Sequence, residues 1–155
     1  MIFLTVGTQF PFDRLVSFVD SFAKSTRQVV VSQVGNSNYE SEYMEVKRFL
    51  SPDEINNAFS KAKVIVSHAG MGSIINCLRL KKTIIIFPRL SKFGEHRNDH
   101  QLDTIASFSN VQGVYVANNE TELHQLLDDI DSLVPPLGLN TPERASLVDY
   151  INSYL

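Results

Sequence analysis

The chain of 155 residues has no tryptophan and a single cysteine, Cys77. One cysteine excludes an internal disulfide and a cysteine-rich zinc site. Its apolar neighbours in a predicted helix make it read as a buried, inert thiol, which fits a reducing, cytoplasmic setting. No internal repeat, low-complexity tract or linker interrupts the chain. No apolar run approaches the roughly 20 residues that span a bilayer. Residues 1–6 lack the basic segment of a signal peptide and read as one strand. The phosphate-loop pattern Gly-x4-Gly-Lys-Ser/Thr is absent. The dinucleotide fingerprint fails at its third glycine, because position 75 is Ile75. Both gaps disfavour the common modes of ATP and NAD binding. There is no Gly-x-Ser-x-Gly nucleophile elbow. Nor is there an arginine-rich run or basic–aromatic interleaving, so nucleic acid is not an expected partner.

What is present suits one ordinary domain with one hydrophobic core, spanning 1–155. Apolar residues make up 43% and charged residues 20% of the chain, as in globular proteins. The net charge of −3 is unevenly spread. Residues 61–97 hold eight Lys/Arg against Glu95 alone, whereas 98–155 hold nine acids against Arg144. The basic block overlaps the glycine turn described below. A field of that sign suits a phosphorylated ligand or an anionic membrane surface, or is simply a solvated face.

Periodicity divides the chain into alternating strands and helices. Strands are expected at 2–6, 28–33, 44–50, 64–67, 83–87 and 111–116. Helices are expected at 12–23, 52–61, 72–80, 99–108 and 120–130, with a final amphipathic helix at 142–154. Pro11 is read as opening the first helix. Ser51-Pro52-Asp53-Glu54 is a helix-start signal. This alternation predicts an α/β domain: a Rossmann-like parallel sheet with helices on both faces. Ligands of such sheets lie beyond the C-terminal strand ends, where loops 7–10, 68–73 and 88–101 fall.

The most informative stretch is Val64-Ile-Val-Ser-His-Ala-Gly-Met-Gly-Ser-Ile-Ile-Asn76. It reads as strand, glycine turn and helix N-terminus, an arrangement that directs backbone N–H groups and a helix dipole at an anion. Gly7-Thr8, after the first strand, is a second turn of this kind. Between Arg89 and Gln101 the polar side chains Glu95, His96, Asn98, Asp99 and His100 cluster. His96 and His100 are spaced i, i+4 and could share a helix face. Hydrogen bonding to a sugar or ribose is the better use of this set, and no metal site is expected.

Three motifs carry a family resemblance: Gly7-Thr8-Gln9-Phe10-Pro11-Phe12-Asp13-Arg14-Leu15, Ser67-His68-Ala69-Gly70-Met71-Gly72-Ser73, and Asn98-Asp99-His100-Gln101-Leu102. Together, over about residues 1–130, they resemble family 28 glycosyltransferases. More narrowly, the chain is similar to the small donor-binding subunits of two-component enzymes. These include the cytosolic subunit that extends a dolichol-linked precursor and, closer still, bacterial exopolysaccharide and capsule subunits. The resemblance implies the C-terminal, donor-binding half of a GT-B glycosyltransferase. It implies a UDP-sugar as donor, no obligatory cofactor, and a catalytic base supplied by another subunit. That partner would be membrane-anchored and would present a lipid-linked saccharide. The chain itself would be cytoplasmic, peripheral at the inner face of the membrane. Self-association in the partner's absence stays open.

Carried over residue by residue, Gly7, Thr8, Gly70, Gly72 and Ser73 would face the diphosphate. His100 and Gln101, with Asn98 beside them, would lie near the donor sugar. His68 matches a basic or polar position, for which a structural role and a ligand contact are equally open. Asn76 stands where the family commonly has a ribose-binding Glu, and it lacks the charge-assisted strength of a carboxylate. Uracil recognition is expected from backbone around 49–51. Two other readings stay open: a non-catalytic stabilising subunit, and an unrelated nucleotide-binding enzyme.

Overall fold

Short runs of β-branched and aromatic residues form six strands, and all six pair in parallel. The computed structural model describes residues 1–139 and residue 149. The strands are β1 (Ile2–Thr5), β2 (Val30–Gln33), β3 (Glu45–Lys47), β4 (Val64–His68), β5 (Ile84–Phe87) and β6 (Val114–Val116). Their order across the sheet is β3-β2-β1-β4-β5-β6. This is the doubly wound order, with its switch point between β1 and β4. There Ile2 pairs with Val64 and Thr5 with Ser67.

The central strands are apolar on both faces, so their side chains feed two cores. Ile2, Leu4, Val64, Val66, Ile85 and Phe87 pack on one face with Leu15, Val16 and Val19. Those last three belong to α1 (Asp13–Thr26). The same core holds Leu123 and Leu127 of α5 (Glu120–Asp128). Phe3, Ile65, Ile84 and Ile86 point to the other face. They meet α2 (Pro52–Lys61), α3 (Met71–Arg79) and α4 (His100–Phe108) through Phe59, Ile74, Leu78 and Phe108. Burial on this scale is worth about 1.5–3 kcal/mol for each large apolar side chain, before the entropic cost.

The expected elements appear, with local corrections. Pro11 does not open α1; Phe12 is the N-cap and Asp13 the first helical residue. The start signal at Ser51 is a complete capping box, since Ser51 accepts from the Glu54 N–H while Glu54 accepts from the Ser51 N–H. The expected strand at 44–50 shortens to the three residues Glu45–Lys47, because the chain bends at Arg48. The amphipathic helix at 142–154 lies outside the described residues. Among the described residues, no helix is long and apolar enough to cross a membrane.

The fold also splits the basic block. Lys61, Lys63, Arg79, Lys81 and Lys82 all precede β4 or β5, at the N-terminal edge of the sheet. There the Lys82 ammonium donates to the carbonyls of Ser60 and Ala62, which lie at the C-terminal end of α2. Only Arg89, Lys92 and Arg97 follow β5 onto the edge that carries the glycine turns. Contiguity in sequence therefore overstates the charge at that edge.

Candidate functional site

A cleft of about 440 Å³ opens over the switch point, beyond the C-terminal ends of β1 and β4. Its walls come from the β1–α1 loop, the β4–α3 turn and the loop leading into α4. Of the residues expected at a site, Gly7, Thr8, His68, Gly70, Gly72, Ser73 and Gln101 line it. Arg89 and His96 line it as well.

The β4–α3 turn sets one wall. Gly70 is the N-cap of α3, no side chain caps that end, and no acid occupies the first turn. By contrast, α2 and α5 are capped by Ser51 and Asn119. The first N–H groups of α3 and the positive end of its dipole therefore face the cleft. A Cβ on Gly72 would meet nothing within 4 Å, so this residue leaves the cleft wall open.

His68 forms the floor, wedged between two glycines. A Cβ on Gly70 would collide with its ring, and one on Gly7 would come within 3.0 Å of Nε2. Gly7 also has φ +75°, a conformation that favours glycine. Gln101 then fixes the state of the imidazole. Its Oε1 accepts the backbone N–H groups of Ala69 (3.1 Å) and Arg89 (3.0 Å), so its Nε2 must be the end that faces His68. That amide lies 3.0 Å from Nδ1 and donates to it. Nδ1 is therefore an acceptor, and the proton of the neutral ring sits on Nε2, the nitrogen nearest Gly7. Burial, reinforced by the nearby Arg89 and His96, holds the His68 pKa down at about 4. The ring is thus a fixed, uncharged donor at neutral pH.

Under the β1–α1 loop lies Arg89, which is buried. Its guanidinium donates to the carbonyls of Val6 (2.7 Å), Phe10 (2.8 Å), Pro11 (2.7 Å) and Glu95 (3.2 Å). Three carbonyls of the loop are thereby held on a cation. Burial lowers the Arg89 pKa to about 10, with Glu95 pulling the other way, so the group stays charged at neutral pH. Glu95 is held at 2.7 and 2.8 Å by Arg14, which lies over the rings of Phe87 and Phe93. This tie joins α1 to the loop after β5.

The remaining expected residues stand apart from the lining. Asn76 is one turn further along α3, and its Oδ1 accepts from Arg79 at 2.8 Å. Asn98 and His100 are exposed; the Asn98 side chain accepts the His100 N–H and meets His96 Nδ1 at 3.1 Å. His100 also lies 3.5 Å from Asp103. The helix starts at His100, so His96 stays in the loop against Phe10, and the i, i+4 pair forms no common face. Among the described residues no group of three metal-ligating side chains occurs. At 49–51 the N–H groups of Leu50 and Ser51 are already taken by Gln33 and Glu54. Sequence reasoning missed the buried clamp of Arg89. Its only local signal is an arginine directly after the apolar run Ile84–Phe87 and Pro88.

The Glycosyltransferase family 28 C-terminal domain matches residues 1–147. The chain is 25% identical over 113 residues to the UDP-N-acetylglucosamine transferase subunit ALG13 of Yarrowia lipolytica. That match takes in 63% of this chain and 56% of that protein, so the chain spans little more than half of its relative. Among solved structures it is similar to ALG13, with a TM-score of 0.61 and 19% identity over 93% of this chain and 91% of that one. MurG of Acinetobacter baumannii gives a TM-score of 0.62 at 14% identity, covering 85% of this chain and 42% of that one. The fold is accordingly the Rossmann-like α/β fold found in GT-B glycosyltransferases. By fold and by its match over nearly the whole length, the chain belongs to the glycosyltransferase family 28 C-terminal domain family.

Proposed function

We propose that this chain is the donor-binding subunit of a hexosyltransferase that uses a UDP-sugar. Its partner is a membrane-anchored, acceptor-binding subunit, and the acceptor is a lipid-linked saccharide in polysaccharide biosynthesis. The observation that carries the reading is the uncapped N-terminus of α3 facing an open cleft at the β1/β4 switch point. Such an end attracts a diphosphate, and the Nε2–H of His68 adds a donor that needs no protonation. A relative named as a transferase subunit supports both the donor class and the need for a second chain.

In this reading the chain's part in catalysis is electrostatic. As the glycosidic bond to UDP breaks, negative charge grows on the departing phosphate. The α3 N–H groups and His68 are already aimed at the cleft and need not reorganise. No cofactor is required for that role. Deprotonation of the acceptor hydroxyl falls to the partner, which holds the chain at the inner face of the membrane while the domain itself stays in the cytoplasm.

The test is reconstitution. Isolated chain binds UDP saturably but transfers sugar only when membranes carrying the partner are added. Failure to bind UDP at millimolar concentration contradicts the reading. Full transfer by the chain alone contradicts the assignment of the base to a partner.

A further inference from the structure

We propose that Arg89 sets the phosphate affinity of the cleft without touching the ligand, as a buried positive charge whose counter-ion is the bound diphosphate. The inference rests on the donor reading above and identifies what in the fold makes that site selective for charge. Among the described residues, the buried charged side chains are Arg89 and Glu95. Glu95 is engaged at both oxygens by Arg14, and its Oε2 also accepts the Leu90 N–H at 2.9 Å. Arg89 donates only to neutral carbonyls, and the Glu95 carboxylate that lies near enough to favour its charge is hydrogen-bonded by Arg14 instead. The three side chains therefore carry two positive charges and one negative, directly beneath the cleft.

Neighbouring acids do not cancel that excess. Asp13 is exposed and hydrogen-bonded by Ser37. Asp99 is exposed and accepts the Ser91 N–H at 2.8 Å, beside Lys92. All four Nη hydrogens of Arg89 are committed to the loops, so the side chain acts through its field and by holding the 6–11 loop. A buried cation that no carboxylate hydrogen-bonds, and whose nearby Glu95 is already shared with Arg14, is costly, and an anion bound above it lowers that cost.

Calorimetric titration with UDP and with uridine separates this role from a structural one. Uridine lacks the phosphates, so the ratio of the two affinities isolates the charge-dependent share. Arg89→Met lowers that ratio at least on the order of tenfold, the scale for removing a unit charge from the lining of a partly polar cleft. Because Arg89→Met removes four hydrogen bonds, the decisive pair is Arg14→Met and Glu95→Gln. Met keeps the stem on the aromatic rings, and Gln keeps an acceptor for Arg14. The charge inventory predicts opposite signs: Arg14→Met lowers the UDP-to-uridine ratio and Glu95→Gln raises it. Ratios that fall together, or that both stay fixed, would show Arg89 and its neighbours to be a clamp only and overturn the inference. A wild-type chain that binds neither ligand overturns the donor reading itself.

Discussion

The imidazole of His68 occupies the volume that a side chain on Gly70 would need. Gly70 has an ordinary extended backbone, φ −86° and ψ 136°, so glycine is required there for space and not for its dihedral freedom. The first expected consequence is that Gly70→Ala destabilises the domain by about 1–3 kcal/mol, the usual cost of overpacking. The double variant Gly70→Ala/His68→Ala recovers most of that loss in denaturant titrations while still binding UDP poorly. No recovery would mean that the glycine serves some other contact.

A second prediction concerns acid. The His68 pKa lies near 4 in the folded domain, against an ordinary 6.5. Between these values the unfolded chain takes up a proton that the folded chain refuses. Stability is therefore fully present above pH 6.5 and falls as the pH drops toward 4. The loss is roughly 2 kcal/mol, allowing for solvent at the cleft edge of the ring. His68→Gln flattens this slope in urea midpoints measured across the range. An equally steep slope in the variant would contradict the assignment.

The third turns on Gln101. Gln101→Leu strips two backbone N–H groups of their acceptor and costs about 2–4 kcal/mol. Gln101→Glu keeps both acceptor contacts and costs less. It cannot donate to Nδ1, however, and instead offers His68 a carboxylate. The His68 titration, followed by the ring proton shifts in NMR, then moves up from about 4 to above its ordinary value. An unmoved titration would show that the amide does not set the tautomer.

Much of the fold is legible in the residues. The short, β-branched apolar runs 2–6, 64–67 and 83–87 read as buried strands, and Ser51-Pro52-Asp53-Glu54 announces a capped helix. The glycine turn at 70–72 is equally plain, because its meaning is local. What escapes is whatever depends on distant pairing. The tautomer of His68 is set by a side chain 33 positions away, and Arg89 finds acceptors 78 to 83 positions back. No local pattern encodes either contact. The basic block misleads for the same reason, since its first five members fall at the N-terminal edge of the parallel sheet and only its last three at the edge of the cleft. His96 and His100 mislead because the helix begins at His100, four residues too late to hold both.

The account stands or falls on whether the N-terminus of α3 faces a phosphate. Gly72 offers the cleanest access to that question, because a Cβ there meets no protein atom within 4 Å. The measurement is calorimetric titration of UDP into the wild-type chain and into Gly72→Val, with thermal unfolding of both as a control. The account predicts saturable binding to the wild type and a loss of at least about tenfold in the variant, or about 1.4 kcal/mol, at nearly unchanged melting temperature. Equal UDP affinity in two equally stable proteins would contradict it.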